Sequence, residues 1–206
     1  MKKGLFVSLE GIDGAGKTSL KEILIPRLQK QYDIISIREP GGTVISEKIR
    51  HLLLDAGNST MGSRTEALLY AAARSQVVEE VIQPALEAGK LVLADRFLDS
   101  TIAYQGYGRG MDLSFLHQLN HLCTGGIKPD LTLLLDIEPE LAYWRRRGET
   151  PDRLEQEGLN FQARVRAGYL ELWKEEPQRI KCLDGSASLQ DIAAESLKHI
   201  EQMVEV

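Results

Sequence analysis

Short apolar runs alternate with longer amphipathic stretches along the whole chain. The run at residues 5–9 predicts a buried strand. Residues 17–31 place Leu20, Ile23, Leu24 and Leu28 at helical spacing, and Pro26 should kink that helix because it removes a backbone donor. A second strand is expected at 34–37, a helix at 43–54 and a polar loop at 55–63. A long helix then runs over about 65–88, bent by Pro84 and stopped by Gly89. Further strands are predicted at 91–94, 131–135 and 179–183, the first two ending at Asp95 and Asp136. Helices are predicted at 112–123, 139–147, 153–175 and 188–204, with a short Gly/Pro break at 148–151. Strand–helix alternation of this kind implies an α/β fold, a parallel five-stranded sheet between two helical layers. Ligands of such sheets bind beyond the carboxyl ends of the strands, so the residues just after each strand carry the functional information.

After the first strand comes Gly11-Ile12-Asp13-Gly14-Ala15-Gly16-Lys17-Thr18, followed by Ser19. It fits G-x-x-x-x-G-K-[ST] at every fixed position, between a predicted strand and a predicted helix. Glycines let backbone N–H groups turn inward onto phosphate oxygens, and the following helix offers its positive end. Lys17 can reach the terminal phosphates, and the Thr18 hydroxyl can ligate Mg²⁺. The loop implies nucleoside triphosphate binding. A switch GTPase would usually add an NKxD motif and, after another strand, a DxxG distinct from the loop itself, and neither occurs.

The other strand ends narrow the class. Ile37 is followed by Arg38-Glu39-Pro40-Gly41-Gly42-Thr43. Ala94 is followed by a stretch that runs from Asp95-Arg96-Phe97 through Ser100 to Ala103-Tyr104-Gln105-Gly106. Arg38 and Arg96 sit just past strand ends, where guanidinium groups can fork onto a second phosphate. Asp95 is placed to hold Mg²⁺ directly or through water. Tyr70 and Arg74 lie four apart on the long helix, so an aromatic plane and a donor project from one face. By residue type alone, each of these also fits a solvated salt bridge or ordinary packing.

With the phosphate loop, these segments make the chain resemble the thymidylate kinases over its whole length. REPGGT and the DRF…AYQG segment are far more specific than the loop itself. The arginine-rich stretch Arg145-Arg146-Arg147-Gly148, with Asp152-Arg153-Leu154-Glu155, matches the family's lid. The resemblance implies a P-loop NTPase fold in one domain over 1–206, with a small mobile lid at about 143–155. It implies transfer of the ATP γ-phosphate to dTMP with Mg²⁺, forming dTDP and ADP. It assigns Arg38, Glu39, Pro40, Tyr70, Arg74, Asp95, Arg96, Ser100, Tyr104 and Gln105 to the monophosphate. Tyr104 favours deoxyribose in this picture, and Tyr70 departs mildly from the commoner phenylalanine. Residues 11–19 go to ATP, and Thr18 and Asp95 to the metal. Lys17, Arg96, Asp13 and lid arginines carry the chemistry. Gly14 stands where one subclass of the family has an arginine, so the lid should supply it here, in the order Arg153, Arg147, Arg146. The family also implies a homodimer, with the 65–88 helix as a candidate face.

The acceptor phosphate would be largely dianionic at pH 7, so it needs placement and charge relief rather than a general base. Two alternatives stay open: a kinase preferring another monophosphate such as UMP or dUMP, and a slow nucleotide-dependent regulator. Composition adds limits. A net charge of −5 gives no global basic footprint for nucleic acid and no polybasic membrane anchor. The first apolar run is shorter than a signal-peptide core of about 7–15 residues, and no run approaches the ~20 that span a bilayer. A cytoplasmic protein is expected, with Cys123 and Cys182 as unpaired thiols. His117 and His121 are four apart, but Gln118 breaks the HExxH zinc pattern.

Overall fold

In the computed structural model the described residues are 4–148 and 150–204; residues 1–3, Glu149 and residues 205–206 lie outside them, including that part of the expected 148–151 break. The strands β1 (Leu5–Glu10), β2 (Ile34–Arg38), β3 (Leu91–Asp95), β4 (Leu131–Asp136) and β5 (Ile180–Asp184) form one parallel sheet in the order β2-β3-β1-β4-β5. Helices α1 (Lys17–Leu28), α2 (Val44–Leu54), α3 (Ser63–Val77), α4 (Gln83–Glu87) and α5 (Leu98–Thr101) precede α6 (Leu113–Thr124). Then come α7 (Pro139–Arg145), α8 (Leu159–Glu175) and α9 (Leu189–Val204).

Strand alternation splits the core between the two faces. In register, Val7 lies between Leu93 and Leu131. These side chains pack with Leu20 and Leu24 of α1 and Ile192 and Ala193 of α9 in one apolar cluster. Leu20 and Leu24 are fully buried, which stabilises the sheet–helix contact by about 1.5–3 kcal/mol each. Phe6, Val92 and Ala94 point the other way, into a cluster with Val77, Val78 and Ile82. The Phe6 and Phe97 rings meet edge to face at 4.8 Å between centroids. On this same face Ser8 and Thr132 are bonded at 2.9 Å, and Thr132 and Arg179 both donate to the buried Asp99. Burying these polar groups is tolerable because each has its partner.

The helix expected over 65–88 is real but interrupted. α3 opens into one wide π turn, Val78–Ile82, and closes again as α4. Pro84 has no N–H to donate, and its ring would strike the carbonyl four residues back; the widened turn removes that clash. Thr43 caps α2 by accepting the Ser46 N–H at 3.1 Å, and α6 is capped by Asp112. Two boundaries move. α8 starts at Leu159, not 153, because Asp152 Oδ1 takes the N–H groups of Leu154 and Glu155 into a local turn. The segment 98–108, for which the pattern predicts no element, forms α5 and a π-helical stretch, Ile102–Gly108. Its residues are mostly buried whether polar or apolar, so no 3.6-residue stripe marks it. Gly108 is required there: a Cβ would lie 2.7 Å from the Phe161 ring of α8.

All five strands end on one edge of the sheet, and the chain reverses direction across β1. Residues 11–19, Arg38-Glu39-Pro40 and Asp95-Arg96 are thereby brought to one cleft. No helix among the described residues is long and apolar enough to cross a membrane.

Candidate active site

The loop after β1 holds its shape through left-handed glycines, among them Gly14 at φ +85°. A Cβ on Gly14 would lie 2.4 Å from the Ala142 carbonyl of α7. Both facts exclude an arginine at this position on this backbone. Lys17 is buried, and its ammonium donates to the Gly11 and Ile12 carbonyls at 3.0 and 2.9 Å. Burial and the neighbouring Arg96 lower it to about 8, while Asp13 and Asp95 pull the other way. Thr18 donates to Asp95 Oδ2 at 3.2 Å, and Lys21 stands 4.0 Å from the same carboxylate.

Arg96 is the centre of the site. It is the one non-glycine residue with positive φ (+72°) among the described residues, which turns its side chain back over the loop. Such a conformation costs about 1–2 kcal/mol and is held by the bonds the side chain makes. Nη1 donates to Gly11 O, Ser100 Oγ and Tyr169 Oη at 2.9, 3.3 and 3.0 Å. Nη2 donates to Asp13 Oδ1 at 2.5 Å and Tyr104 Oη at 2.9 Å. Burial alone would raise the Asp13 carboxyl. Arg96, Lys17 and the Tyr104 hydroxyl, which donates at 2.8 Å, instead hold it well below the usual carboxylate range. Ser100 and Tyr169 both donate to Glu10 Oε2, at 2.6 and 2.8 Å, and the Phe97 N–H donates to Oε1. Glu10 is fully buried, and that burial, with Asp99 nearby, pushes its carboxyl up to about 7.

Beside this cluster lies a pocket walled by Tyr70, Arg74, Ser100, Thr101, Tyr104 and Gln105. Arg74 is buried, and four of its five N–H donors are engaged. Nε bonds Glu39 at 2.7 Å, Nη1 bonds Thr101 and Asn120, and Nη2 bonds the Phe97 carbonyl. Glu39 is tied at both ends, its N–H to the Asp95 carbonyl and its carboxylate to Arg74; burial raises its pKa despite that partner. The Glu39–Pro40 peptide is cis. Arg38 is half-exposed beside Glu47 and faces the phosphate cleft together with Lys17, Thr18 and Asp95.

The pattern along the chain does not single out Arg50, Thr101, Tyr169, Glu10 or Glu66, and the structure adds them. Arg50 donates to the Pro40 carbonyl at 2.9 Å and lines both the pocket and the cleft. Thr43, Glu47 and Arg50 share one face of α2 at helical spacing, a signal the sequence does contain.

The lid arginines separate. Arg145 donates to the Gly185 carbonyl at 2.9 Å, and Arg146 pairs with Glu155; both border the phosphate cleft. Arg147 is exposed and borders a different, mostly apolar cavity between α7 and α8. Arg153 is buried away from the loop: Nε bonds the Leu53 carbonyl at 2.8 Å, and Nη1 lies 2.6 Å from Glu66. Of the three arginines expected to act from the lid, Arg146 is the one that borders the cleft around the loop.

The cleft and the pocket share one guanidinium, that of Arg96. The family model for thymidylate kinase matches residues 9–195. The chain is 54% identical over 178 residues to a thymidylate kinase of Desulforudis audaxviator, covering 84% of this chain and 80% of that one. It is 50% identical to a thymidylate kinase of Latilactobacillus sakei, covering 97% and 95%. The crystal structure of thymidylate kinase from Ehrlichia chaffeensis superposes with a TM-score of 0.79 at 32% identity, covering 96% of this chain and 99% of that one. The family model over most of the chain and relatives of this identity and coverage lead to one conclusion: the chain belongs to the thymidylate kinase family.

Proposed function

We propose that the cleft and the pocket hold the two substrates of a dTMP kinase side by side, ATP on the phosphate loop and dTMP against Tyr70. The activity is that of the family, transfer of the ATP γ-phosphoryl to dTMP to give dTDP and ADP. The observation that carries the site reading is Arg96, which lines both cavities and bonds the loop at Gly11 and Asp13. A guanidinium so placed can bridge the acceptor phosphate and the phosphoryl in flight.

In this reading the thymine ring stacks on Tyr70, and Arg74, on the pocket wall, faces a ring carbonyl. The buried Tyr104 ring, fixed by Asp13 and Arg96, packs on the sugar and favours deoxyribose. Arg38, Arg50 and Arg96 take the acceptor phosphate. Lys17 leaves the loop carbonyls for the γ-phosphate, where desolvated charge is most effective. Arg146, presented by Glu155, completes the charge clamp from the lid at 143–155, and lid closure keeps water from the γ-phosphate.

Thr18 and Asp95 form an oxygen-only pair beside the loop. Among the described residues no three metal-ligating side chains cluster into a separate cage. That donor set fits Mg²⁺ held by one or two protein oxygens plus substrate phosphates. Thr18 and Asp95 would hold the ion, whose contribution is to neutralise developing phosphate charge.

Val44 and Ile45 of α2, Leu68 of α3 and Leu122 of α6 stay exposed on helices that pack side by side. We propose this face as the seam of a homodimer. Sedimentation should give a dimer; a monomer at every concentration would contradict it. A cytoplasmic enzyme with no nucleic acid or membrane partner completes the proposal. The test of function is ADP release from ATP with dTMP, dUMP, UMP, dCMP, AMP and GMP in turn. The greatest kcat/KM is expected for dTMP, and a preference for AMP would overturn the reading.

A further inference from the structure

Glu66 lies on α3 one turn before Tyr70, fully buried beneath the base pocket. Its carboxylate gathers three side chains from two separate segments. Gln105 Nε2 and Arg109 Nε reach Oε1 at 2.9 and 3.2 Å. Arg109 Nη2 and Arg153 Nη1 reach Oε2 at 3.0 and 2.6 Å. Gln105 is pocket wall, Arg109 follows the π-helical stretch, and Arg153 belongs to the lid. Arg109 also pairs with Glu157, just beyond the lid. One buried carboxylate and its companion arginine therefore grip the strap 152–157 at two points.

The strap turns its residues in opposite directions. Asp152 and Glu155 face the pocket, and Glu155 also reaches the phosphate cleft and holds Arg146. Arg153 points inward to Glu66 and to the last turn of α2, where its N–H and Nε bond the Leu54 and Leu53 carbonyls. Carbonyls at a helix end lack intrahelical partners and attract a cation. Arg153 thus fixes the strap, and the strap positions Arg146.

We propose that Glu66 is a positioning residue that couples filling of the base pocket to docking of the lid strap; this rests on the dTMP pocket described above. A base held against Tyr70 and Gln105 fixes the Gln105–Glu66 bond. Glu66 then keeps Oε2 aligned for Arg153. Linkage makes the effect reciprocal, so a docked strap tightens monophosphate binding by the same factor.

The test uses the full chain as wild type, Glu66→Gln, Arg153→Met and the double variant, each first shown by thermal melting to be folded. Amide hydrogen exchange of residues 152–158 is followed with and without saturating dTMP, and dTMP affinity is measured by calorimetry. In the wild type, dTMP is expected to slow exchange of the strap. Each single variant loses that slowing and binds dTMP about tenfold more weakly, and the double variant is no weaker than either single one. Arg153→Met matters most, because the Arg153 side chain does not line the pocket and the substitution keeps the backbone bond to Leu54; strap exchange still slowed by dTMP in that variant, or losses that multiply in the double variant, overturns the proposal. A wild type that binds no dTMP overturns the functional reading itself, and the coupling with it.

Discussion

Replacing Arg96 by lysine tests the centre of the site with the charge retained. Both residues carry a Cβ, so the strain of the positive φ is the same before and after and cancels. Arg96 makes five contacts through Nη1 and Nη2. A lysine ammonium has three donors on a shorter reach, so at least two of the five contacts disappear. The pair with Asp13 survives, and the cost to folding is about 2 kcal/mol at roughly 1 kcal/mol per lost bond. For a chain of this size that lowers Tm by about 4–8 °C. Catalysis suffers more. The fork that would bridge the two phosphates becomes a point charge, and loss of one preorganised donor on a transferring group costs about 10²–10³ in kcat. A coupled assay of dTMP-dependent ADP release, run well below Tm, reads the effect. A kcat within about threefold of wild type would refute the bridging role.

Tyr70→Ala should raise KM for dTMP about 10- to 100-fold, the value of one base–aromatic stack, with KM for ATP little changed; equal effects on both would make Tyr70 mere packing. Lys17 titrates at about 8 in the free enzyme, and only its protonated form attracts phosphate, so kcat/KM for ATP should fall as pH rises through 8. A profile flat to about pH 10 would remove Lys17 from that role, as would near-wild-type turnover in Lys17→Ala. Glu10 binds its proton more tightly folded than unfolded, so its stabilising contribution is full below about 4.5 and is lost as pH rises through about 7. Chemical denaturation of wild type and Glu10→Gln across pH 4–8 should therefore show the wild type losing ground to the variant by about 3 kcal/mol over that window. A difference independent of pH would mean that Glu10 is not titrating there.

The features legible along the chain were those with a local signature. The phosphate loop has fixed spacing, each strand is a short apolar run, and residues past strand ends must meet at one edge of a parallel sheet. Helical spacing put Tyr70 and Arg74 on one face, and the resemblance to the thymidylate kinases made them site residues. What escaped was set by tertiary contact. The π-helical stretch 102–108 has no amphipathic period because it is buried on both sides, and it needs Gly108 only because Phe161 lies against it. Arg50 points at the pocket because it bonds the Pro40 carbonyl, a partner ten residues away. Arg153 was expected over the phosphates because lid arginines look alike in sequence. Its burial against Glu66, 87 positions earlier, shows only in three dimensions.

Direct transfer between the two sites is most directly tested by following the γ-phosphoryl itself. ATP labelled on the γ-phosphate is incubated with the protein, with and without dTMP, and the label is traced to dTDP or to inorganic phosphate. The account predicts label in dTDP, formed one for one with ADP, and little inorganic phosphate when dTMP is absent. Label released as inorganic phosphate at the same rate with or without dTMP would contradict it.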